Sequence, residues 1–251
     1  VIEGHPKLGF AVLGGVLAAL VTLVVLIVLT GSRGGEIPIE VVPSSAGAPA
    51  PVAATDTRVS SRAAPSVDPA WAARLGTAAG IPAPAMRAYA GAELILKREQ
   101  PGCHLSWNTL AGIGWIESQH GTLGDRTIGP DGRSSTPIIG PALDGGKFAA
   151  IRSTPASAEW HGDDTWEHAV GPLQFISSTW GRWAADGDGD GVADPLDLDD
   201  AAVAAGRYLC ADAHDLSTGP GWSAAIHSYN HSNEYVLDVL SAANTYAERS
   251  R

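Results

Sequence analysis

A chain of 251 residues holds one sizeable domain with segments to spare. Its net charge of −11 argues against a nucleic-acid partner, because binding one needs a basic face. All eight tryptophans lie between Trp71 and Trp222, so the mass that builds an aromatic core is confined to the C-terminal part.

Residues 1–8 read as a short cytoplasmic arm. Residues 9–30 carry no charge, and about 20 apolar helical residues cross a bilayer core. A cleaved signal peptide is the competing reading. Its apolar region is usually shorter, about 7–15 residues, and a small-x-small site should follow, where Thr-Gly-Ser-Arg stands here. An uncleaved single-pass anchor is therefore expected, with the rest of the chain outside the cytoplasmic membrane. Lys7 and Arg33 flank the span and decide its orientation weakly. Residues 31–66 are rich in Gly, Pro, Ala and Ser and show no apolar period, which is linker composition. Such a coil of about 36 residues spans roughly 33 Å and stretches to about 120 Å.

The folded domain is expected over 67–251. Asp68 followed by Pro69 caps a helix that runs towards Gly80. A second helix starts after Pro84, runs through Ile95 and stops at Pro101-Gly102. Ser106 caps a third, which ends near Gly121. From Gly121 to Val170 the pattern breaks into Gly, Pro, Asp and Ser, with room for one short hairpin. Helical periodicity resumes at Leu173–Trp183, Ala201–Asp212, Gly221–Tyr229 and Glu234–Glu248. The domain reads as mainly α.

The third helix carries Leu110, Ile113 and Gly114 on the same face as Glu117. A carboxylate on an apolar face needs a reason. Glu117 sits in the last turn, where the negative end of the helix dipole and burial both disfavour its charged form. That combination raises a carboxyl pKa, as a general acid working near neutral pH requires. A Glu on a solvated last turn is the alternative.

Cys103 and Cys210 fit a disulfide in an extracytoplasmic domain, closing a loop of about 100 residues and stabilising the fold by about 4–5 kcal/mol in the chain-entropy model. Two buried free thiols are the other possibility, and neither cysteine has a partner at zinc-ligand spacing. Residues 186–200 hold seven aspartates and no cationic residue. The opening follows an EF-hand loop, with Asp186, Asp188 and Asp190 at the first, third and fifth positions and Gly191 at the sixth. The carbonyl of Val192 would add a ligand. Asp197 holds the usual closing position, but Pro195 and the later helix start favour Asp200 as the closing ligand in a lengthened loop. Calcium suits this all-oxygen set better than magnesium, and a solvated acidic turn is the alternative.

Four motifs in order resemble the lytic transglycosylases of bacterial cell walls, in particular the membrane-bound B-type enzymes and their actinobacterial relatives. They are Gly112–Gly121 around Glu117, Pro137–Gly145, Val170–Trp180, and Ser228–Ser232 followed by Tyr235. That family also places an EF-hand-like calcium loop where the aspartate run lies. The resemblance implies a lysozyme-like α fold and a peptidoglycan substrate. It implies non-hydrolytic cleavage of the β-1,4 bond between N-acetylmuramic acid and N-acetylglucosamine, leaving 1,6-anhydromuramoyl ends, with Glu117 as acid and then base. It places Ser118, Gln174, Phe175, Tyr229 and Asn230 at the substrate, with the Tyr229 hydroxyl near the catalytic acid. Calcium would be structural, and cell-wall synthesis or division proteins are the expected partners. Two rivals remain at this point: a hydrolytic muramidase of the same fold, and a non-catalytic, calcium-dependent wall-binding protein. Trp115 departs from the family, being bulkier than the polar residue often found there. His227 and His231, four apart on a helix, lack the Glu of a zincin motif.

Overall fold

The computed structural model describes residues 42–47, 66–146 and 148–251. The proposed span at 9–30 and most of the linker at 31–66 lie outside the described residues. No helix among the described residues is long and apolar enough to cross a membrane.

Among the described residues eight α-helices form in chain order: α1 (Pro69–Ala79), α2 (Ala83–Glu99), α3 (Trp107–Ser118), α4 (Pro155–His161), α5 (Ser177–Trp183), α6 (Leu198–Leu209), α7 (Gly219–Tyr229) and α8 (Asn233–Arg249). Isolated antiparallel bridges tie the irregular stretch between α3 and α5, and no longer strand forms among the described residues. The mainly helical expectation holds. The Asp68 side chain caps α1 by accepting from Ala70 N–H at 2.9 Å, as its sequence position implies.

Three local expectations change. Ser106 stands at the N-cap of α3 without capping through its side chain; the Glu93 carboxylate on α2 accepts from Trp107 N–H at 2.7 Å instead. A longer side chain from a neighbouring helix satisfies the same orphan donor. Helix α3 ends before Gly121, because Gln119 and His120 already adopt left-handed backbone at φ 53° and 62°. The helix expected from Leu173 begins only at Ser177, because Val170 and Phe175 pair as a bridge and hold Leu173 and Gln174 in a tight turn. Helix α4 was not anticipated from periodicity. Seven residues give too few turns to show one, and a capping box at Thr154 and Ser157 supplies its signal.

Helix α3 runs through the centre, with Trp107, Leu110 and Ile113 fully buried. It packs against α8 on one side and α2 on another. Two glycines permit this. A methyl group at Gly112 would lie 2.8 Å from the Val239 carbonyl on α8, and one at Gly114 would overlap the Tyr89 hydroxyl on α2. A smaller cluster of Leu143, Ala169 and Ile176 gives the irregular middle its own apolar centre. Residues 42–47 lie as a strap across α3 and α8. Ser44 N–H donates to Asn244 Oδ1 at 2.7 Å, Asn108 Nδ2 to the Ser44 carbonyl at 3.2 Å, and Trp107 Nε1 to the Gly47 carbonyl at 2.8 Å.

Cys103 and Cys210 form a disulfide across 107 positions, joining the entry to α3 with the end of α6. Replacing both cysteines by serine is expected to lower unfolding stability by about 2–5 kcal/mol, read by urea denaturation. An unchanged midpoint would show that the crosslink adds nothing to the packed core.

Candidate active site

Glu117 is 5 % exposed, at the C-terminal end of α3. Burial pushes its carboxyl up to about 8, and a hydrogen bond from the Tyr235 hydroxyl to Oε1 at 2.6 Å opposes that rise. The group is therefore mostly protonated at neutral pH, inside a wall of apolar and aromatic side chains. Tyr235 stands in the first turn of α8, positioned by the Ser232 side chain at the N-cap, which accepts from Tyr235 N–H at 3.3 Å. The Tyr235 ring stacks on Tyr229, with centroids 6.5 Å apart and planes 7° from parallel.

The four motifs meet here through named bonds. The Ser118 hydroxyl donates to the Pro172 carbonyl at 2.6 Å and accepts from Gly121 N–H at 2.8 Å, fastening the end of α3 to the Val170–Trp180 segment. Ile139 and Val170 pair as a bridge, which joins the second and third motifs. The Tyr229 hydroxyl donates to the Leu173 carbonyl at 2.8 Å, which joins the third and fourth.

These bonds revise several expected roles. The hydroxyl on Glu117 belongs to Tyr235; Tyr229 turns its own towards Leu173 and lends the site only its ring. Ser118 is 1 % exposed with its hydroxyl spent on the backbone, so it is a structural clasp rather than a substrate contact. Phe175 is 2 % exposed and packs edge-on to Trp180 and Tyr229, so it belongs to the core. Its bridge with Val170 turns the side chain inward. Gln174 is buried as well. It sits at φ 51°, its Nε2 donates to the Gly171 carbonyl at 2.9 Å, and its buried Oε1 has no partner among the described residues. A buried orphan acceptor in a hydrogen-bonded turn calls for a donor brought from outside. Asn230 is buried at the C-cap of α7, next to Tyr229.

Sequence reasoning missed a second buried group. His120 is hydrogen-bonded to the Tyr89 hydroxyl at Nδ1 (3.1 Å) and to the Tyr246 hydroxyl at Nε2 (2.8 Å), one ring nitrogen donating and the other accepting, and burial drives its pKa down to about 3, so the ring stays neutral. The three side chains lock the left-handed turn that follows Glu117. Only the fold brings α2, α3 and α8 together, so spacing along the chain carried no sign of it.

In the aspartate loop, ligand oxygens of Asp186, Asp188 and Asp200 lie within 4.8 Å of one another. Asp200 oxygens also accept from Gly187 and Asp194 N–H, which folds the loop back onto α6. Asp197 is otherwise engaged: it N-caps α6 by accepting from Asp199 N–H and lies 3.7 Å from Arg133. Asp190 differs from expectation. Its Oδ1 accepts from Val192 N–H, and its carboxylate stands outside the group of three. Cations reach the loop from elsewhere in the chain, Arg87 onto Asp199 and Arg133 onto Asp194.

Residues 157–227 match the family model of the transglycosylase SLT domain. The matched segment takes in the third motif and the aspartate loop, and stops before Tyr229. The chain is also similar to the Escherichia coli lytic transglycosylase Slt35 in complex with bulgecin A, at 16 % identity and a TM-score of 0.40, over 71 % of this chain and 78 % of that one. No curated protein matches the chain.

A carbon-13 titration of the Glu117 carboxyl is expected to show a midpoint near pH 8. Tyr235→Phe removes the bond that favours the charged form, so the midpoint should move higher. The folded state prefers the protonated group. Its contribution to stability is therefore complete below the unfolded carboxyl value near 4.5 and lost as pH rises through about 8. A midpoint near 4.5 in the folded protein would contradict the buried geometry.

Proposed function

We propose that this chain, an enzyme that cleaves peptidoglycan through its transglycosylase SLT domain, breaks the β-1,4 bond between N-acetylmuramic acid and N-acetylglucosamine with one carboxyl acting twice. The observation that carries the reading is Glu117, buried, raised to about 8 and held by a phenol hydroxyl. A carboxyl in that state is a competent general acid at neutral pH.

In the first step Glu117 donates its proton to the glycosidic oxygen. The C1–O bond breaks and the N-acetylglucosamine end leaves with its new hydroxyl. Glu117 is now a carboxylate in an apolar setting, and the Tyr235 hydroxyl is its stabilising donor. The 2-acetamido oxygen of the muramoyl sugar supports the positive charge at C1, which removes the need for a second catalytic carboxyl. In the second step O6 attacks C1 while Glu117 takes the O6 proton. The products are a 1,6-anhydromuramoyl end and a regenerated acid. The orphan Oε1 of Gln174 offers an acceptor for a sugar N–H or hydroxyl, and Asn230 at the C-cap of α7 is a further amide for substrate contact in this reading.

Glu117→Gln keeps the shape and removes the transferable proton, so cleavage of purified sacculi should fall by at least about a hundredfold. Mass spectrometry of wild-type digests should find anhydro ends; reducing ends would move the assignment to a muramidase. For the wild type, kcat/KM should decline above pH about 8 as the acid ionises.

The aspartate loop suits a structural calcium ion. Asp186, Asp188 and Asp200 would hold it through their carboxylate oxygens. A bound cation would relieve the repulsion among these carboxylates and anchor the start of α6. EDTA should lower the melting temperature, and calcium should restore it more than magnesium. A melting curve indifferent to chelation would remove the ion from the proposal. An anchor at 9–30 with the catalytic domain outside the membrane agrees with the disulfide, which persists in oxidising compartments.

A further inference from the structure

A groove of about 480 Å³ runs along the flank of α3 and α8, lined by Trp115, Ile116, Asp238, Ser241, Thr245 and Arg249 among others. Trp115 is 44 % exposed and is the one aromatic among the exposed large hydrophobic side chains of the described residues. An indole left open to water at the wall of a groove of mixed polar and apolar lining is a ready platform for an amphipathic ring. The Asp238 carboxylate has no hydrogen-bond or ion-pair partner among the described residues. Arg249 spends Nη1 on the Ala79 carbonyl at 3.1 Å, which fixes its guanidinium at the far end. An aromatic face flanked by a carboxylate, hydroxyls and a guanidinium is saccharide-binding chemistry. The C–H face of a pyranose lies on indole, and its hydroxyls donate to a carboxylate and accept from guanidinium.

Two positions separate Trp115 from Glu117, which puts the side chains about 200° apart around the helix axis. The groove is therefore a second site and not the cleft that holds the scissile bond. Both are built on the same two helices, since Asp238 follows Tyr235 by one turn of α8.

We propose that the Trp115–Asp238 groove is a secondary glycan-binding site, which takes a saccharide segment of the cell wall outside the cleavage cleft. It rests on the peptidoglycan reading above and adds a hold on the polymer that a short fragment does not use. The occupant is glycan rather than stem peptide. The open indole offers a flat stacking face, and Asp238 and Arg249 stand eleven positions apart on α8, about 16 Å along its axis, too far for one ion-pairing group to reach both.

The test uses the full-length chain in the Glu117→Gln background, so that binding is read without cleavage. Pelleting with insoluble sacculi, and calorimetry with soluble glycan strands stripped of stem peptides, should both show at least tenfold weaker binding for Trp115→Ala. Trp115→Phe should recover most of it, and Asp238→Asn should weaken it to a lesser degree. With Glu117 intact, Trp115→Ala should raise KM on sacculi and leave kcat unchanged, with rates on a tetrasaccharide at the wild-type level. Unchanged binding overturns the proposal, and so does a loss confined to stem-bearing material, which would assign the groove to peptide. If cleavage survives Glu117→Gln while binding still falls with Trp115→Ala, the catalytic reading fails and the secondary site stands.

Discussion

The domain is arranged so that one carboxyl can be kept out of water without being neutralised by a cation. Glu117 faces a tyrosine hydroxyl 2.6 Å away, not an arginine or lysine. A cationic partner would hold the group ionised and useless as an acid. A phenol hydroxyl stabilises the carboxylate modestly and leaves the acid within reach of neutral pH. Keeping water away requires close packing around the carboxyl, and ten of the twelve residues of the helix that bears Glu117 are buried. Gly112 and Gly114 follow from that demand, because α8 and α2 approach α3 closely only where side chains are absent.

The irregular middle serves the same end. Its bridges and turns do not form a sheet, yet they place Pro172 on Ser118 and Leu173 on Tyr229. The C-terminal end of α3 is thereby clasped from the loop side, while the Tyr89–His120–Tyr246 set holds it from the helical side. Glu167 extends this scaffold. Fully buried, it accepts from the hydroxyls of Ser157 on α4 at 2.7 Å and Ser177 on α5 at 3.0 Å. Two short helices with little apolar surface of their own are fixed through one carboxylate.

Much of this was legible in the residues. The cap at Asp68 and the terminal-turn placement of Glu117 follow from local spacing, and the cysteine pair from the expected extracytoplasmic setting; the structure shows all three. What spacing does not carry is the partner across the fold. Tyr235 lies 118 positions from Glu117, so the identity of the phenol on the acid needed three-dimensional packing. Tyr229 and Tyr235 are chemically equivalent in sequence; which hydroxyl turns towards Glu117 is decided by where α7 ends and α8 begins. Ser118 and Phe175 looked like substrate contacts because they flank Glu117 and Gln174, the residues proposed to act on the glycan. Adjacency in the chain puts the next side chain on another face, and both face inwards.

The strap of residues 42–47 changes the mechanics of the molecule as a tethered body. Composition alone gives a leash from the end of the apolar stretch to the folded domain of about 120 Å at full extension. Because Ser44 and Gly47 are hydrogen-bonded to Asn244, Asn108 and Trp107, the leash is moored well before its end. For a chain anchored at 9–30 as proposed, the first mooring point on the domain comes only about a dozen positions after the span, a reach of about 40 Å along the chain. The proposed cleaving centre would then patrol the layer of wall nearest the bilayer.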